Sequence, residues 1–497
     1  MKSYRPYAPT QSFLLPPSPR EWLPKDHLAF FILAFVETLD LSAIERTLQA
    51  KDARGERPYS PELMTTLLLY AYATGVFSSR RIARACVEDV AFRVLAAGEQ
   101  PHFTTINQFR ATHREALAGL FVQVLQACQS AGLVKLGHVA IDGTKMKANA
   151  SKHKAMSYDR MQKDEVRLRA EIGEWFARAE AIDAEEDALD GDGGTYDPQD
   201  EIRRREERLA KMELAKQALE REVAAARARR LREQAEELRR MAEQPTTPPK
   251  QQGTLKTLAK KRDQQASLFD DDDLGPPSAS ADGDLPRNAP PGDRNGTPKP
   301  KAQRNFTDPE SRIMVRDGAF LQAYNAQIAV DDAHQIIVAA AVSNQGPDAE
   351  YFAPMLRRVV RNCDAVPERV TADSGYFSAA NVRIAEHIGV EPFISVGKHR
   401  NDGTPAEHSR DHRNRSEARL RMRTLLETDR GRRAYARRKA TVEPVFGQIR
   451  APRRFGQFSF RGLFKNRCEW LLVCLTHNVL KLFRAAGAAP RLSTAMG

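Results

Sequence analysis

Cysteine is scarce in this chain. Only Cys86, Cys128, Cys363, Cys468 and Cys474 occur in 497 residues, an odd number with no C-x-x-C spacing, which argues against both a disulfide framework and a cysteine-based zinc site. Such usage fits a reducing cytoplasm. Long apolar runs are missing too: Leu28 to Phe35 and Leu471 to Leu475 are too short to span a bilayer, and no continuous apolar h-region opens the chain. Secretion and membrane insertion are not expected. Of the eleven histidines His408 and His412 stand four apart, but no H-E-x-x-H motif occurs, which disfavours a zinc hydrolase.

What is present is a concentration of positive charge. The chain carries a net +12, and Arg410 to Arg467 holds eighteen Lys/Arg against five Asp/Glu, so the remainder is close to neutral. Phe446, Phe455, Phe458 and Phe460 lie in the same segment. Cations that displace condensed counterions, interleaved with aromatics that pack or stack, have the character of a phosphate-backbone surface. A solvated basic helix is the alternative that charge alone leaves open. The length and the 41% hydrophobic content support two or three domains with at least one sizeable core.

Apolar periodicity divides the chain. Residues 1–133 form a helical N-terminal domain, with Ser60-Pro61-Glu62 starting one helix and Thr105-Ile106-Asn107-Gln108 showing capping-box spacing. Helices over Ser79 to Leu95 and Thr105 to Cys128 are expected, the second exposing Asn107, Gln108 and Arg110. This pair reads either as a helix-turn-helix reader of a DNA groove or as an ordinary bundle. Residues 134–156 supply a first strand. From 157 to 244 a charged helical hairpin is expected: Met161, Leu168, Ile172, Trp175, Ala179, Ile182 and Leu189 make a coiled seam, and the break at 191–198 precedes a second one. Subunit pairing, DNA contact and a plain spacer are all open roles for it. Residues 245–309 hold eleven of the 29 prolines and the acidic run Asp270 to Asp273, a composition expected to leave a disordered linker. Over 310–485 strands and helices alternate, the pattern of a sheet with crossover helices.

Two strands end alike, Val139-Ala140-Ile141-Asp142-Gly143 and Val370-Thr371-Ala372-Asp373-Ser374-Gly375. In an open sheet ligands collect at the carboxyl ends of strands, so two aspartates there can converge on a hard cation. A lone strand-end Asp is more often a turn-former, and it is the pairing that argues for a site. The third acid is Glu443, alone among cations, with Lys439 and Arg450 within about 40° of it on one helical face. An ion pair on a surface helix is the plainer reading of Glu443. Pro444 is expected to kink the helix or start it there. Three carboxylates suffice for two Mg²⁺ or Mn²⁺ ions about 3.5–4 Å apart, which suits phosphodiester chemistry.

With these residues the sequence resembles the bacterial insertion-sequence transposases with a ribonuclease-H-like DDE domain, in particular the eleven-eighty-two group. The similarity is carried by Val139 to Lys145 with Asn149-Ala150-Ser151-Lys152, by Thr307 to Arg312, and by Gln322 to Gln327. Ala372 to Tyr376, Val442 to Gly447 and His477-Asn478 add to it. It implies an α/β fold, a ribonuclease-H-like mixed sheet with flanking helices, preceded by an all-α domain and interrupted by the coiled hairpin. It implies Asp142, Asp373 and Glu443 as catalytic, metal-holding acids. Lys145, Arg437, Arg438, Lys439, Arg450, Arg453 and Arg454 are the expected phosphate contacts, and Asn107, Gln108 and Arg110 the expected base readers. The implied partners are element terminal inverted repeats and target DNA, bound by a homodimer or larger assembly in the bacterial cytoplasm at the nucleoid. A DNA-binding protein without chemistry and a nuclease that cannot rejoin strands are the rival functions.

Overall fold

The computed structural model describes residues 18–49, 57–186, 198–245, 247–269, 285–397 and 417–488. Helices come first: α1 (Leu28–Glu37), α2 (Ser42–Gln49), α3 (Pro61–Thr74), α4 (Ser79–Glu88), α5 (Val90–Leu95), α6 (Phe103–Thr112) and α7 (Arg114–Ser130). Ser60 caps α3 by accepting from the Glu62 amide, and Gly75, at φ 81°, closes it. The two long helices expected between Ser79 and Cys128 are each broken. Asp89 ends α4 and caps α5 by accepting from the Phe92 amide, while His113 separates α6 from α7. Thr105 lies inside α6, which starts at Phe103, so its capping-box spacing is not used.

The chain then enters β1 (Val139–Lys147) and β2 (Ala155–Ser157) before an arm of three long helices, α8 (Tyr158–Glu186), α9 (Pro198–Ala242) and α10 (Pro249–Ser267). Met161 and Leu168 of the seam pack on Met212. Trp175, Ala179, Ile182 and Leu189 lie outside the described side chains, as do residues 191–197. The expectation of a disordered 245–309 is corrected here. Helix α10 docks along α9, with Ala266 against Ala228 and Leu231, and β3 (Gln303–Asn305) pairs with β2. Proline-rich averages hid this because α10 buries only small side chains, Ala259 and Ala266, which close packing rewards without large apolar residues. Asp270 to Asp273 falls outside the described residues. The arm is tied to the body where Glu222 of α9 pairs with Arg304 at 3.0 Å and with Arg312.

The sheet follows: β4 (Arg312–Arg316), β5 (Ala319–Asp331), β6 (Ile336–Ser343), α11 (Phe352–Cys363), β7 (Arg369–Ala372), α12 (Ala379–Ile388) and β8 (Glu391–Ile394). The order is β4-β5-β1-β7-β8, with β6 also paired to β5. β1 runs antiparallel to β5 and parallel to β7, so the sheet is mixed. Three helices close the chain: α13 (Glu417–Glu427), α14 (Asp429–Arg450) and α15 (Leu463–Ala488). Helix α14 packs on β1, β5, β7 and β8, and runs through Pro444 without a break at Glu443.

The N-terminal helices do not keep a core of their own. One cluster of buried side chains runs from Ile32 and Leu68 through the sheet residues Ile141 and Val338 to Trp470 and Val473. Helix α15 lies against α3, α7 and β6 and is the element they share. Its residue Asn478 accepts from the Ile337 amide and donates to the Ile337 carbonyl, both at 2.9 Å. Among the described residues, no helix is long and apolar enough to cross a membrane.

Candidate active site

Register places the first two acids side by side. Ile141 pairs with Ala372, the last pair of the parallel β1 and β7 ladder, so Asp142 and Asp373 stand side by side where that ladder stops; β7 ends there as expected, whereas β1, expected to end at Asp142, runs on beside β5 to Lys147. Gly143 follows Asp142 because nothing larger fits: a Cβ there would stand 2.1 Å from Gln327 Nε2. Asp373 caps a short turn, accepting from the Gly375 amide at 2.8 Å.

Glu443 reaches this end of the sheet on α14, and between the acids sits Arg438. Its guanidinium donates to Asp142 Oδ2 at 2.9 Å and lies 3.9 Å from Glu443 Oε1. Arg438 is buried while Glu443 is half exposed. Burial is the largest influence on the Asp142 carboxyl and pushes it up to about 6; Arg438 and the Gly143 amide oppose this, and Asp373 and Asp348 add to it. Burial is the largest influence on Arg438 and opposes its charge, but Asp142, Tyr435, Asp373 and Glu443 together outweigh it and raise the Arg438 pKa. The site therefore holds negative charge that only cations relieve.

The donor set, three carboxylates, suits a hard divalent cation. Among the described residues, no three ligating side chains converge to coordination distance. The positive charge between Asp142 and Glu443 is supplied by Arg438 instead.

Other expected contacts sort by exposure. Arg454, Lys439, Asn107 and Gln108 are exposed, and Arg437 is exposed while paired to Asp332 at 3.0 Å. Arg450 is partly buried over the Phe446 ring, and its Nε and one terminal nitrogen lack hydrogen-bond partners. Arg453 and Arg110 do not face solvent, which corrects their expected DNA roles. Arg453 donates to the Tyr72 and Val473 carbonyls and to Thr476. Arg110 donates to the Tyr72 hydroxyl at 3.0 Å and the Phe77 carbonyl at 2.8 Å, and stacks over Phe460. Both join α3 and α6 to the C-terminal elements, a use that a charge count along the chain does not reveal. Lys145 is likewise engaged, with Asp348 at 3.0 Å. Phe446, Phe455 and Phe458 are buried in the core rather than offered for stacking, and Arg410, Arg413 and Arg415 lie outside the described residues.

Some of the motifs behind the resemblance are structural. Asp308 accepts from the Tyr324 hydroxyl at 2.7 Å and the Gly462 amide at 3.1 Å, and Glu310 from the Leu463 amide at 2.8 Å, which pins the start of α15. His477 bonds the Gln335 carbonyl, and burial lowers it to about 3, so it is neutral at pH 7.

Two family models match the chain. Residues 17–112 match the one described as Transposase domain (DUF772), and residues 298–479 match the Transposase DDE domain. The chain belongs to the DDE transposases. It is an enzyme of DNA transposition and recombination, acting for a mobile element. Family membership carries DNA binding and a general use of divalent metal ions. No curated protein and no solved structure matches the chain. The matched DDE span contains Asp373 and Glu443 but begins after β1, so Asp142 joins them only through the β1 and β7 ladder. Asp348 was missed in the sequence, and Asn325, Gln327 and Tyr376, read there as carriers of the resemblance, were given no place at the site. A signal existed for two of them: Asn325 and Gln327 are polar residues two apart in an otherwise apolar strand, hence on one face.

Proposed function

We propose that this transposase cuts strands at the ends of its element and joins them to target DNA at Asp142, Asp373 and Glu443. The observation that carries the reading is that Asp142 and Asp373 stand side by side where the parallel β1 and β7 ladder ends, with α14 bringing Arg438 and Glu443 against Asp142. The strand order, with β5, β1, β7 and β8 adjacent and helices between, supports a ribonuclease-H-like domain of the eleven-eighty-two group. Mg²⁺ or Mn²⁺, as a pair of ions, supplies Lewis acidity to the phosphoryl group and a more acidic attacking oxygen. The chain's own residues orient and neutralise. Asp142, held largely out of water against Arg438, would hold the ions together with Asp373 and Glu443. Arg450, whose charge feels Arg316, Asp317 and Asp142, adds positive potential near the acids, and the exposed Lys439 and Arg454 line the approach of the phosphate backbone. In the first step water attacks phosphorus and the P–O3′ bond breaks, leaving a 3′-hydroxyl and a 5′-phosphate. In the second, that hydroxyl attacks a target phosphodiester, one P–O bond replacing another. A homodimer or larger assembly on paired ends, working in the cytoplasm, fits a reaction with two ends.

The test is purified full-length protein incubated with the DNA ends that flank its gene and Mg²⁺ or Mn²⁺, with products mapped to the nucleotide. Cleaved and joined products are expected. Asp142→Ala, Asp373→Ala and Glu443→Gln each abolish both while leaving DNA binding intact. Cleavage without joining identifies a nuclease, binding without either a DNA-binding protein, and full activity in EDTA refutes the metal reading.

A further inference from the structure

Beneath the acids lies a polar network that the proposed reaction does not use. Asp348, just before α11, accepts on Oδ1 from three donors: Lys145 Nζ at 3.0 Å, Asn325 Nδ2 at 2.6 Å and Gln327 Nε2 at 3.0 Å. Its Oδ2 takes a second contact from Lys145 at 3.2 Å. Asn325 and Gln327 are fully buried on β5, opposite Lys145 and Gly143 of β1. Lys145 and Asp348 are about one-fifth exposed.

Each partner leads to one of the two paired acids, Asp142 and Asp373. Lys145 and Gly143 are on the strand that carries Asp142. Gln327 fills the space beside Gly143 and accepts a short hydrogen bond from the Tyr376 hydroxyl. Tyr376 closes the turn that Asp373 caps. In that turn Gly375 leaves room for both acids: a Cβ on it would lie 3.0 Å from Asp373 Oδ1 and 3.6 Å from the Asp348 side chain. One carboxylate thus ties the β1 end, the β5 strand and the β7 turn. Low local dielectric makes such a network rigid when satisfied and loose when one member is lost.

We infer that Asp348 is a positioning residue for strand cleavage: its carboxylate fixes the spacing of Asp142 and Asp373 and keeps the Lys145 ammonium away from them. The inference rests on the proposed role of those two acids. Removing the Asp348 charge frees a cation next to a site that recruits cations, so Lys145 becomes an internal competitor for the metal. Groups of this kind, one step removed from the ligands, typically change metal affinity or activity by about 10–100-fold when lost.

The experiment compares Asp348→Asn, Asp348→Asn with Lys145→Met, and Asp142→Asn, all in the full chain. Mn²⁺ affinity is measured by titration calorimetry without DNA. Thermal stability, affinity for end DNA and single-turnover cleavage against Mn²⁺ concentration are measured alongside. Asp348→Asn is expected to stay folded and keep its DNA affinity, with Mn²⁺ bound about tenfold more weakly and cleavage reduced by at least that factor. Adding Lys145→Met is expected to restore much of the Mn²⁺ affinity but not the cleavage rate, a split that a merely structural residue would not produce. A folded Asp348→Asn with parental Mn²⁺ affinity and cleavage overturns the inference. If it does not fold, Asp348→Glu, which keeps the charge but displaces it by one methylene, is judged by the same two outcomes. Should Asp142→Asn bind Mn²⁺ and cleave normally, the proposed site fails, an outcome distinct from failure at Asp348 alone.

Discussion

Asp142→Asn is expected to make the protein more stable while ending its cleavage activity. In the fold burial lifts the Asp142 carboxyl from 3.8 to about 6, despite Arg438 and the Gly143 amide. A folded-state pKa above the unfolded one means that the native protein keeps this proton to higher pH. Stability is therefore lost as pH rises from about 4 to about 6 and is flat above that. The gap amounts to about 3 kcal/mol of native-state free energy spent on an ionised carboxylate. Because only 17% of the side chain is exposed, solvent screening discounts this little. Asparagine carries no charge and escapes the penalty, though Arg438 loses its closest counter-charge and trims the gain. Urea denaturation in EDTA should show the variant ahead by up to about 3 kcal/mol at pH 8 and by well under ~1 kcal/mol at pH 4. Mn²⁺ should then stabilise the parent, not the variant, and narrow the difference. A variant less stable than the parent at pH 8, or a gain that does not grow between pH 4 and 6, refutes the claim that the site stores this cost.

Adjacent arginines should behave differently. Arg453→Ala strips donors from two buried carbonyls and leaves a cavity, so a loss of about 3–5 kcal/mol in denaturant unfolding is expected, and parental stability contradicts the buried assignment. Arg454→Ala should leave stability unchanged but weaken binding to all DNA sequences alike, lowering the salt slope by about one per phosphate contact; an unchanged slope removes Arg454 from the interface. Gly143→Ala drives a methyl into Gln327 and should cost about 1–3 kcal/mol together with most of the cleavage rate, measured by melting and product mapping. If α6 enters a major groove, replacing Asn107 and Gln108 with Ala should cost about 1–3 kcal/mol of discrimination per lost bidentate contact, read from competition between end DNA and random duplex. Equal loss on both duplexes rules that out.

The two paired acids were legible because a carboxylate after an apolar strand run announces itself locally, although β1 continues past Asp142 to Lys147. Val139 to Asp142 and Val370 to Asp373 each show an apolar run, a carboxylate and a glycine within a few residues, and their juxtaposition then follows from sheet register. Asp348 was not legible: it precedes a helix in Gln345-Gly346-Pro347-Asp348, an ordinary turn composition, and the network it joins needs Asn325, Gln327 and, some two hundred residues earlier, Lys145. Charge counting failed for Arg110, Arg438 and Arg453 for a related reason. A guanidinium that satisfies its donors inside the fold looks, in sequence, the same as one that meets phosphate. The sheet strands were readable from period and turn residues, whereas α10 was not, because its packing uses alanines that carry little hydrophobic signal.

Helix α15 packs on α3 and α7 as well as on β6, and this has a consequence in time. Val139 pairs with Asp331, so at about 5–20 residues per second the first strand waits some ~10–40 s for its partner during synthesis. The N-terminal helices wait longer still, since the Arg453 donor to the Tyr72 carbonyl, the Glu469 partner of the Tyr72 hydroxyl and the Phe460 ring beneath Arg110 come from the last part to be made. A polypeptide stopped short of α15 thus lacks a finished core at either end. Abortive products would lack the core that the N-terminal helices and the sheet share.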